Sequence, residues 1–203
     1  MRVHELQGLG TPDVITVANA ALARVIAPRS RALKVLMIGA ERPDEFAHAM
    51  RMAGRGYSVI VVNPRESFAA HQFANGGGTF IRTTIERLPL RLGPFDLICE
   101  NYPFTVSLVE GVCQDDPCPM WLSARAVRAY AIARLRHLAS CGQWIVFTES
   151  PGFARALLSI VRRNQAIRHN FAARIVLLTS GEAPPSSYPR LSTRFQVTFQ
   201  RYR

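Results

Sequence analysis

The chain has 203 residues, 48% of them hydrophobic, so it is long enough to bury the core of one compact domain spanning residues 1–203. No run of about eighteen apolar residues exists that would cross a bilayer, and no cleavable signal is recognisable, so we expect a cytoplasmic protein that does not contact a membrane. The formal net charge is +11, and only one of the 25 basic residues, Lys34, is a lysine.

Cysteine and histidine usage gives no sign of a metal site. The cysteines lack the paired CxxC spacing of zinc ligands, and the histidines show no ligand spacing. We therefore predict no bound metal, and free thiols in a reducing compartment, with a disulfide between the second and third cysteines as the alternative. The residues concerned are Cys99, Cys113, Cys118 and Cys141, and the histidines at positions 4, 48, 71, 137 and 169.

The first part of the chain alternates between helical and strand patterns. Thr11, Pro12 and Asp13 are typical of a helix start, and they predict a leading helical segment within residues 1–30, ahead of a core of residues 31–203. "LKVLMIG" is a short apolar run bounded by glycine, as expected of a parallel strand buried on both faces. Pro43 begins the next helix, and "YSVIVVN" is the second strand.

The alternation continues to the last two strands. We predict a helix at "ESFAAHQFA", strands at "TFIRTT" and "FDLICEN", a long helix from Leu122 to Ser140, a strand at "QWIVFTE" and a helix opened by Ser150. "ARIVLLTS" and "STRFQVTFQRY" have no helix between them, which predicts an antiparallel pair. The whole pattern predicts an α/β fold: a doubly wound, mostly parallel, seven-stranded Rossmann-like sheet with a C-terminal antiparallel hairpin.

This order of elements resembles the class I S-adenosylmethionine-dependent methyltransferases over nearly the whole chain. The resemblance rests on "VLMIGAERPDEF" at the first motif, "VIVVNPR" at the second strand, "IERLPLRLGPFDLICENYPF" through the fourth strand and "ARLRHLASCGQWIVFTES" leading into the fifth. It implies that S-adenosylmethionine is the cofactor and that the chain is an enzyme.

The resemblance also implies a cofactor site with two departures from the family pattern. Met37 replaces the usual acid of the first strand, and only Gly39 remains of the usual glycines in the loop that follows. Asn63 stands where an acid usually binds the ribose hydroxyls, and an amide binds a hydroxyl more weakly than a carboxylate does. The implied cofactor-binding residues are Gly39, Ala40, Glu41, Asn63, Thr84, Ile85 and Glu100, of which Glu100 is alternatively a base or a solvated acid at the strand edge.

The other ligand to weigh for this loop is a nicotinamide dinucleotide. A pyrophosphate at the start of the helix near Pro43 would need close-approach glycines and no competing negative charge. The chain has Glu41, Asp44 and Glu45 there. These acids suit the ammonium and sulfonium groups of S-adenosylmethionine, or they serve only to favour the helix dipole.

The end of the predicted fourth strand carries the candidate catalytic residues. "Asn-Tyr-Pro-Phe", from Asn101 to Phe104, resembles the Asn/Asp-Pro-Pro-aromatic motif of methyltransferases that modify nitrogen atoms. Carried over, Asn101 and the Tyr102 carbonyl accept hydrogen bonds from the target amine, Pro103 stiffens the turn, and Phe104 stacks on a planar substrate. The alternative is a strand-ending turn whose aromatic rings pack on the next helix.

Arginines on the long predicted helix indicate a nucleic-acid partner. Arg125, Arg128 and Arg136 are predicted to project from one face and to contact RNA or DNA phosphates. A GC-rich genome would also enrich arginine without any partner. Arg134 falls among the apolar positions of this helix, which requires either snorkelling or a buried partner.

These observations predict a methyltransferase acting on a nitrogen of a nucleobase or other planar acceptor. The alternatives are a catalytically inactive methyltransferase-fold module that binds nucleic acid or an acidic partner, and a nucleotide-binding oxidoreductase. "VVNPR" with "FDLI" and "YPF" also resembles methyltransferase-fold modules of secreted bacterial toxins, which would imply delivery into a target cell.

Overall fold

The computed structural model describes residues 32–101, 124–178 and 194–202. The predicted leading helix lies outside the described residues, as do Tyr102, Pro103 and Phe104. No helix in the described ranges is long and apolar enough to cross a membrane.

Seven strands form one sheet in the order β3-β2-β1-β4-β5-β7-β6. Strands β1 to β5 run parallel, whereas β7 is antiparallel to both β5 and β6, which confirms the predicted α/β fold and its terminal antiparallel pair. The strands are β1 (Lys34–Ile38), β2 (Ser58–Val62), β3 (Thr79–Ile81), β4 (Phe95–Asn101), β5 (Leu138–Thr148), β6 (Phe171–Leu178) and β7 (Arg194–Arg201).

Five α-helices are described, and side-chain caps fix the starts of three of them. They are α1 (Pro43–Gly54), α2 (Phe68–Asn75), α3 (Ala124–Leu135), α4 (Pro151–Arg163) and α5 (Gln165–Asn170). The hydroxyls of Ser67 and Ser150 accept a hydrogen bond from the third helical N–H of α2 and α4, and the amide oxygen of Asn164 does so for α5. Short 3₁₀ turns at Ile85–Arg87 and Leu90–Leu92 join β3 to β4.

The predicted helix from Leu122 to Ser140 is wrong at its C-terminal end. In the structure α3 ends at Leu135, and Leu138 already pairs with Phe95 as the first residue of β5. Leu138 fits the helical spacing of the apolar residues, but pairing with β4 satisfies its backbone and buries its side chain instead. The extra length of β5 includes an irregularity in its register with β4, where Cys141 has a φ of 60°.

Helices cover both faces of the parallel strands, so the side chains that alternate along these strands are buried on either side. On one face α1 and α2 pack over residues that include Val35, Val61 and Leu97. On the other face α3, α4 and α5 cover a second cluster in which the Trp144 ring stacks on Phe199 at a centroid distance of 4.6 Å. The two layers leave the carboxyl edge of the parallel strands as the place where polar groups from several strands meet.

Candidate active site

The loop after β1 approaches the end of β2 closely. The Gly39 N–H donates to the Val62 carbonyl at 2.8 Å, and Gly39 has a φ of 74°, a conformation that suits glycine. A Cβ at this position would meet no atom within 4 Å. The loop therefore has open space beside its one glycine, which is what a bound ligand at this edge requires.

Asn63 joins the same loop to the end of β2. Its Nδ2 donates to the Ala40 carbonyl at 3.0 Å, and its Oδ1 accepts from the Arg65 N–H at 2.9 Å. Only 3% of the residue is exposed. An amide has two N–H groups and two acceptor lone pairs, so one of each remains for the ribose contact that the sequence predicts.

Glu45, in the first turn of α1, connects the loop to β4. Its Oε2 accepts from the backbone N–H groups of Glu41 and Arg42, each at 3.0 Å. Its Oε1 accepts from Nδ2 of Asn101 at 2.8 Å. The sequence marks Glu45 only as one of several acids at a helix start. It therefore does not predict the contact between Glu45 and the candidate catalytic residue Asn101.

This contact determines how the Asn101 amide is oriented. Because Nδ2 donates to the Glu45 carboxylate, Oδ1 is the end of the amide left for another partner, and no group in the described ranges donates to it. Asn101 is half-buried at the end of β4. The structure thus leaves an amide oxygen at the carboxyl edge as an acceptor for an amine or an ammonium group.

Apolar side chains form a pocket beside Asn101 on the α1 face of the sheet. Met37, at the position where the family has an acid, is 6% exposed and is one of its walls. Cys99 is another, and burial raises the pKa of its thiol to about 12, so it is not a nucleophile at neutral pH. The remaining lining residues are His48, Met52, Ile145 and Phe147.

Glu100 points to the opposite face of the sheet from Asn101. Both of its carboxylate oxygens accept from Arg134, at 3.1 Å from Nε and 2.9 Å from Nη2. The side chains of Glu100 and Arg134 are only 5% and 6% exposed. Arg134 thus has the buried partner that its position among apolar residues required, and the predicted cofactor or base role of Glu100 would compete with this ion pair.

Arg134 also holds the segment between β3 and β4. Its Nη1 donates to Glu86 at 2.7 Å, and its guanidinium lies 3.6 Å from the centroid of the Tyr130 ring. Burial by itself would raise the pKa of Glu86, but a backbone hydrogen bond and Arg134 outweigh it and lower that pKa. For Arg134, burial would lower the pKa, and the carboxylate of Glu100 raises it instead.

The predicted cofactor residues Thr84 and Ile85 begin the first 3₁₀ turn, next to Glu86. Ile85 is 1% exposed and packs in the core beneath α3, so only its backbone is available to a ligand. Thr84 is half-buried. Their role as cofactor contacts stays a prediction.

The three arginines predicted to bind nucleic acid are all exposed, but they do not lie on one helix. Arg125 and Arg128 are on α3, whereas Arg136 follows the end of the helix and donates from Nη2 to the Glu86 carbonyl at 2.8 Å. The prediction that Arg136 projects from the same helix face as Arg125 and Arg128 is wrong, because α3 ends at Leu135. Within the described ranges, no group of three or more His, Cys, Asp or Glu side chains is placed to hold a metal ion.

No protein-family profile matches the sequence, and no curated protein matches it either. Solved structures do match. The N-methyltransferase NodS from Bradyrhizobium japonicum WM9 is 13% identical, with a TM-score of 0.56 over 92% of this chain and 96% of that one. TrmN from Thermus thermophilus is 17% identical, with a TM-score of 0.54 over 92% of this chain and 48% of that one.

The plantazolicin methyltransferase BpumL, in complex with SAH, is 12% identical, with a TM-score of 0.54 over 84% of this chain and 76% of that one. Together with the strand order and the antiparallel β7, these similarities identify the class I S-adenosylmethionine-dependent methyltransferase fold. The predicted resemblance is confirmed at the level of the fold.

Proposed function

We propose that this protein is an S-adenosylmethionine-dependent methyltransferase that transfers a methyl group to a nitrogen of a nucleobase or other planar acceptor. The observation that carries the proposal is the Asn101 amide at the carboxyl edge of the sheet: its Nδ2 is held by Glu45, and its Oδ1 accepts no hydrogen bond from the described residues. Ligands of doubly wound folds bind at this edge. The SAH bound in BpumL supports the choice of cofactor.

The residues present fit such a cofactor at three points. Gly39 leaves open space beside the loop after β1, and the exposed carboxylate of Glu41 provides negative charge next to it. Asn63 keeps one N–H and one acceptor site for a ribose hydroxyl. When bound, S-adenosylmethionine supplies an electrophilic methyl group on a sulfonium.

Asn101 is the positioning group for the acceptor. Its Oδ1 accepts a hydrogen bond from the target amine, which aligns the nitrogen lone pair and converts an encounter of two molecules into a fixed geometry. The negative charge of Glu45 behind the amide strengthens this acceptor, because hydrogen bonds in a chain polarise one another. The apolar pocket beside Asn101 excludes water from one side of the planar acceptor.

Two measurements test this function. Calorimetric titration with S-adenosylmethionine and with NADPH should give binding of the first alone. Methyl transfer from radiolabelled cofactor to RNA, DNA and small planar amines should then be lost in Asn101→Ala. The matched control is Asn75→Ala, at the exposed end of α2, which removes an amide from a distant position.

The outcomes separate the alternatives. Binding of S-adenosylmethionine with no transfer to any acceptor would favour an inactive binding module. Binding of NADPH instead would overturn the proposal in favour of an oxidoreductase. If Asn101→Ala and the wild type transfer methyl groups equally, Asn101 is not part of the active site, although the protein is still a methyltransferase.

A further inference from the structure

The helical layer formed by α3, α4 and α5 has an unusual charge distribution. In residues 124–178 and 194–202 Glu149 is the one acid, and it is only 5% exposed. Six arginines on the three helices are exposed, and none of them forms an ion pair with an acid of the described ranges. We call these six residues the basic helix face: Arg125, Arg128, Arg155, Arg162, Arg163 and Arg168.

The α1 side of the molecule carries both signs of charge. Arg51 and Arg55 are exposed there without an ion pair in the described ranges, but Asp44 and Glu45 lie in the first turn of the same helix, and Arg42 pairs with Asp44 at 2.8 Å. Helices α3, α4 and α5 contain no acid at all. The two sides therefore differ in their acids, whose absence leaves the positive charge of the basic helix face uncompensated.

One residue of the basic helix face opposes local stability. Arg125 lies in the first turn of α3, where the partial positive charge of the helix N-terminus repels a cation. Arg162, Arg163 and Arg168 lie in the last turns of α4 and α5, where the helix dipole favours a cation. Arg125 therefore breaks a local rule without a local gain, which is expected where a surface binds a ligand.

The face extends from the candidate active site to the opposite edge of the sheet. Strand β5 ends at Thr148, and α4 begins at Pro151, so Arg155 lies near the carboxyl edge where Asn101 is found. Arg162 and Arg163 lie at the other end of α4, about 10 to 12 Å from Arg155 at 1.5 Å per residue. Helix α4 packs against both α3 and α5, so the arginines of the three helices form one surface.

We infer that the basic helix face binds the phosphodiester backbone of a nucleic acid. Nucleic acids repeat a negative charge every 3.4 Å or so along each strand. The arginines of α4 alone spread over about 10 to 12 Å, so several phosphates of one strand can lie against the face. The planar guanidinium binds phosphate through two parallel hydrogen bonds. Helices α3 and α4 lie flat on the sheet, so the face contacts backbone rather than inserting a helix into a groove.

The test is fluorescence anisotropy with a labelled single-stranded RNA and a DNA of the same sequence, measured without cofactor. The double variant Arg155→Glu/Arg162→Glu is compared with Arg51→Glu/Arg55→Glu on the α1 side, where both arginines are exposed. The two variants change the net charge equally, so only the position of the change differs. Circular dichroism checks that both are folded.

We expect the face variant to bind at least about tenfold more weakly than the wild type, and the control to differ by less than about threefold. The slope of log affinity against log salt should fall by about 1.4 in the face variant, because two phosphate contacts are lost. Equal affinity for RNA and DNA would support binding through phosphate alone, and a preference for RNA would add a contact to the 2′-hydroxyl.

Equal losses in the two variants would overturn the inference, because net charge alone would then explain binding. Binding of polyglutamate as tightly as RNA would overturn it in favour of an acidic polypeptide. The inference does not depend on the proposed function. RNA binding without affinity for S-adenosylmethionine would contradict only the methyltransferase activity, and the reverse result would contradict only the basic helix face.

Discussion

Glu100 and Asn101 are neighbours at the end of β4, yet the structure uses them in opposite ways. The Glu100 carboxylate is buried against Arg134 on the α3 face, and Asn101 is half-buried beside Glu45 on the α1 face. The alternation of side chains along a strand is the cause. One side of the strand end is fixed by a buried ion pair, and the other keeps an acceptor group free for chemistry.

The comparison shows where rigidity comes from at this site. Arg134 contacts both the end of β4 and the turn at Glu86, so it fixes two of the segments that approach the candidate site from the α3 side. Glu45 fixes the loop after β1 and the Asn101 amide from the α1 side. Loss of the counter-charge of Glu100 is expected to lower the free energy of unfolding more than loss of Glu45, because Glu100 is buried and Glu45 is only half-buried.

The largest effect is expected for Arg134→Met. The substitution leaves the Glu100 carboxylate buried without a counter-charge, so the free energy of unfolding should fall by about 3 to 5 kcal/mol. Chemical denaturation with urea measures the change. The double variant Arg134→Met/Glu100→Leu should recover much of the loss, because replacing a buried ion pair by apolar groups is often neutral.

The matched control is Arg136→Met, which removes an exposed arginine two residues away. Its effect should stay below about 1 kcal/mol, since it loses one exposed hydrogen bond to the Glu86 carbonyl. If Arg134→Met and Arg136→Met destabilise equally, the buried ion pair does not organise this side of the site.

A smaller effect is expected for Glu45→Ala. It removes the acceptor of two backbone N–H groups and of Asn101, and should lower the free energy of unfolding by about 1 to 2 kcal/mol. The side-chain amide resonances of Asn101 should shift in an NMR spectrum. Asp44→Ala, which removes a partly exposed ion pair with Arg42, should cost less than about 1 kcal/mol and leave those resonances in place.

The smallest effect is a pH dependence from His137, which lies between α3 and β5 and is 1% exposed. Burial, with a further contribution from the charge of Arg136, lowers its pKa below the ordinary value of 6.5. The unfolded chain then binds a proton more readily than the folded protein. Stability should fall as the pH drops through 6.5, by at most about 1.4 kcal/mol per pH unit.

Urea denaturation at a series of pH values measures this slope. His137→Phe should flatten it, whereas His169→Gln, at an exposed histidine of α5, should leave it unchanged. A slope that survives in His137→Phe would assign the pH dependence to another group. This pH range lies above the range in which Glu86 would change the stability, because the pKa of Glu86 is lower than that of an ordinary glutamate.

Most of the fold could be predicted because the strands are short apolar runs between helix signals. The bounds of β4 and the capped start of α4 at Ser150 agree with the sequence pattern. Predictions failed where a local pattern fits two structures, as at Leu138, and α5 was not predicted because six residues hold too little periodicity.

The sequence by itself determined the kind of fold, the edge of the sheet where polar residues gather and the excess of arginine. Only the tertiary structure decided that Asn101 meets Glu45, 56 positions away, that Glu100 meets Arg134, 34 positions away, and that β7 lies between β5 and β6. The physical reason is that hydrophobic periodicity and capping are local, whereas a pairing between distant residues depends on how the layers pack.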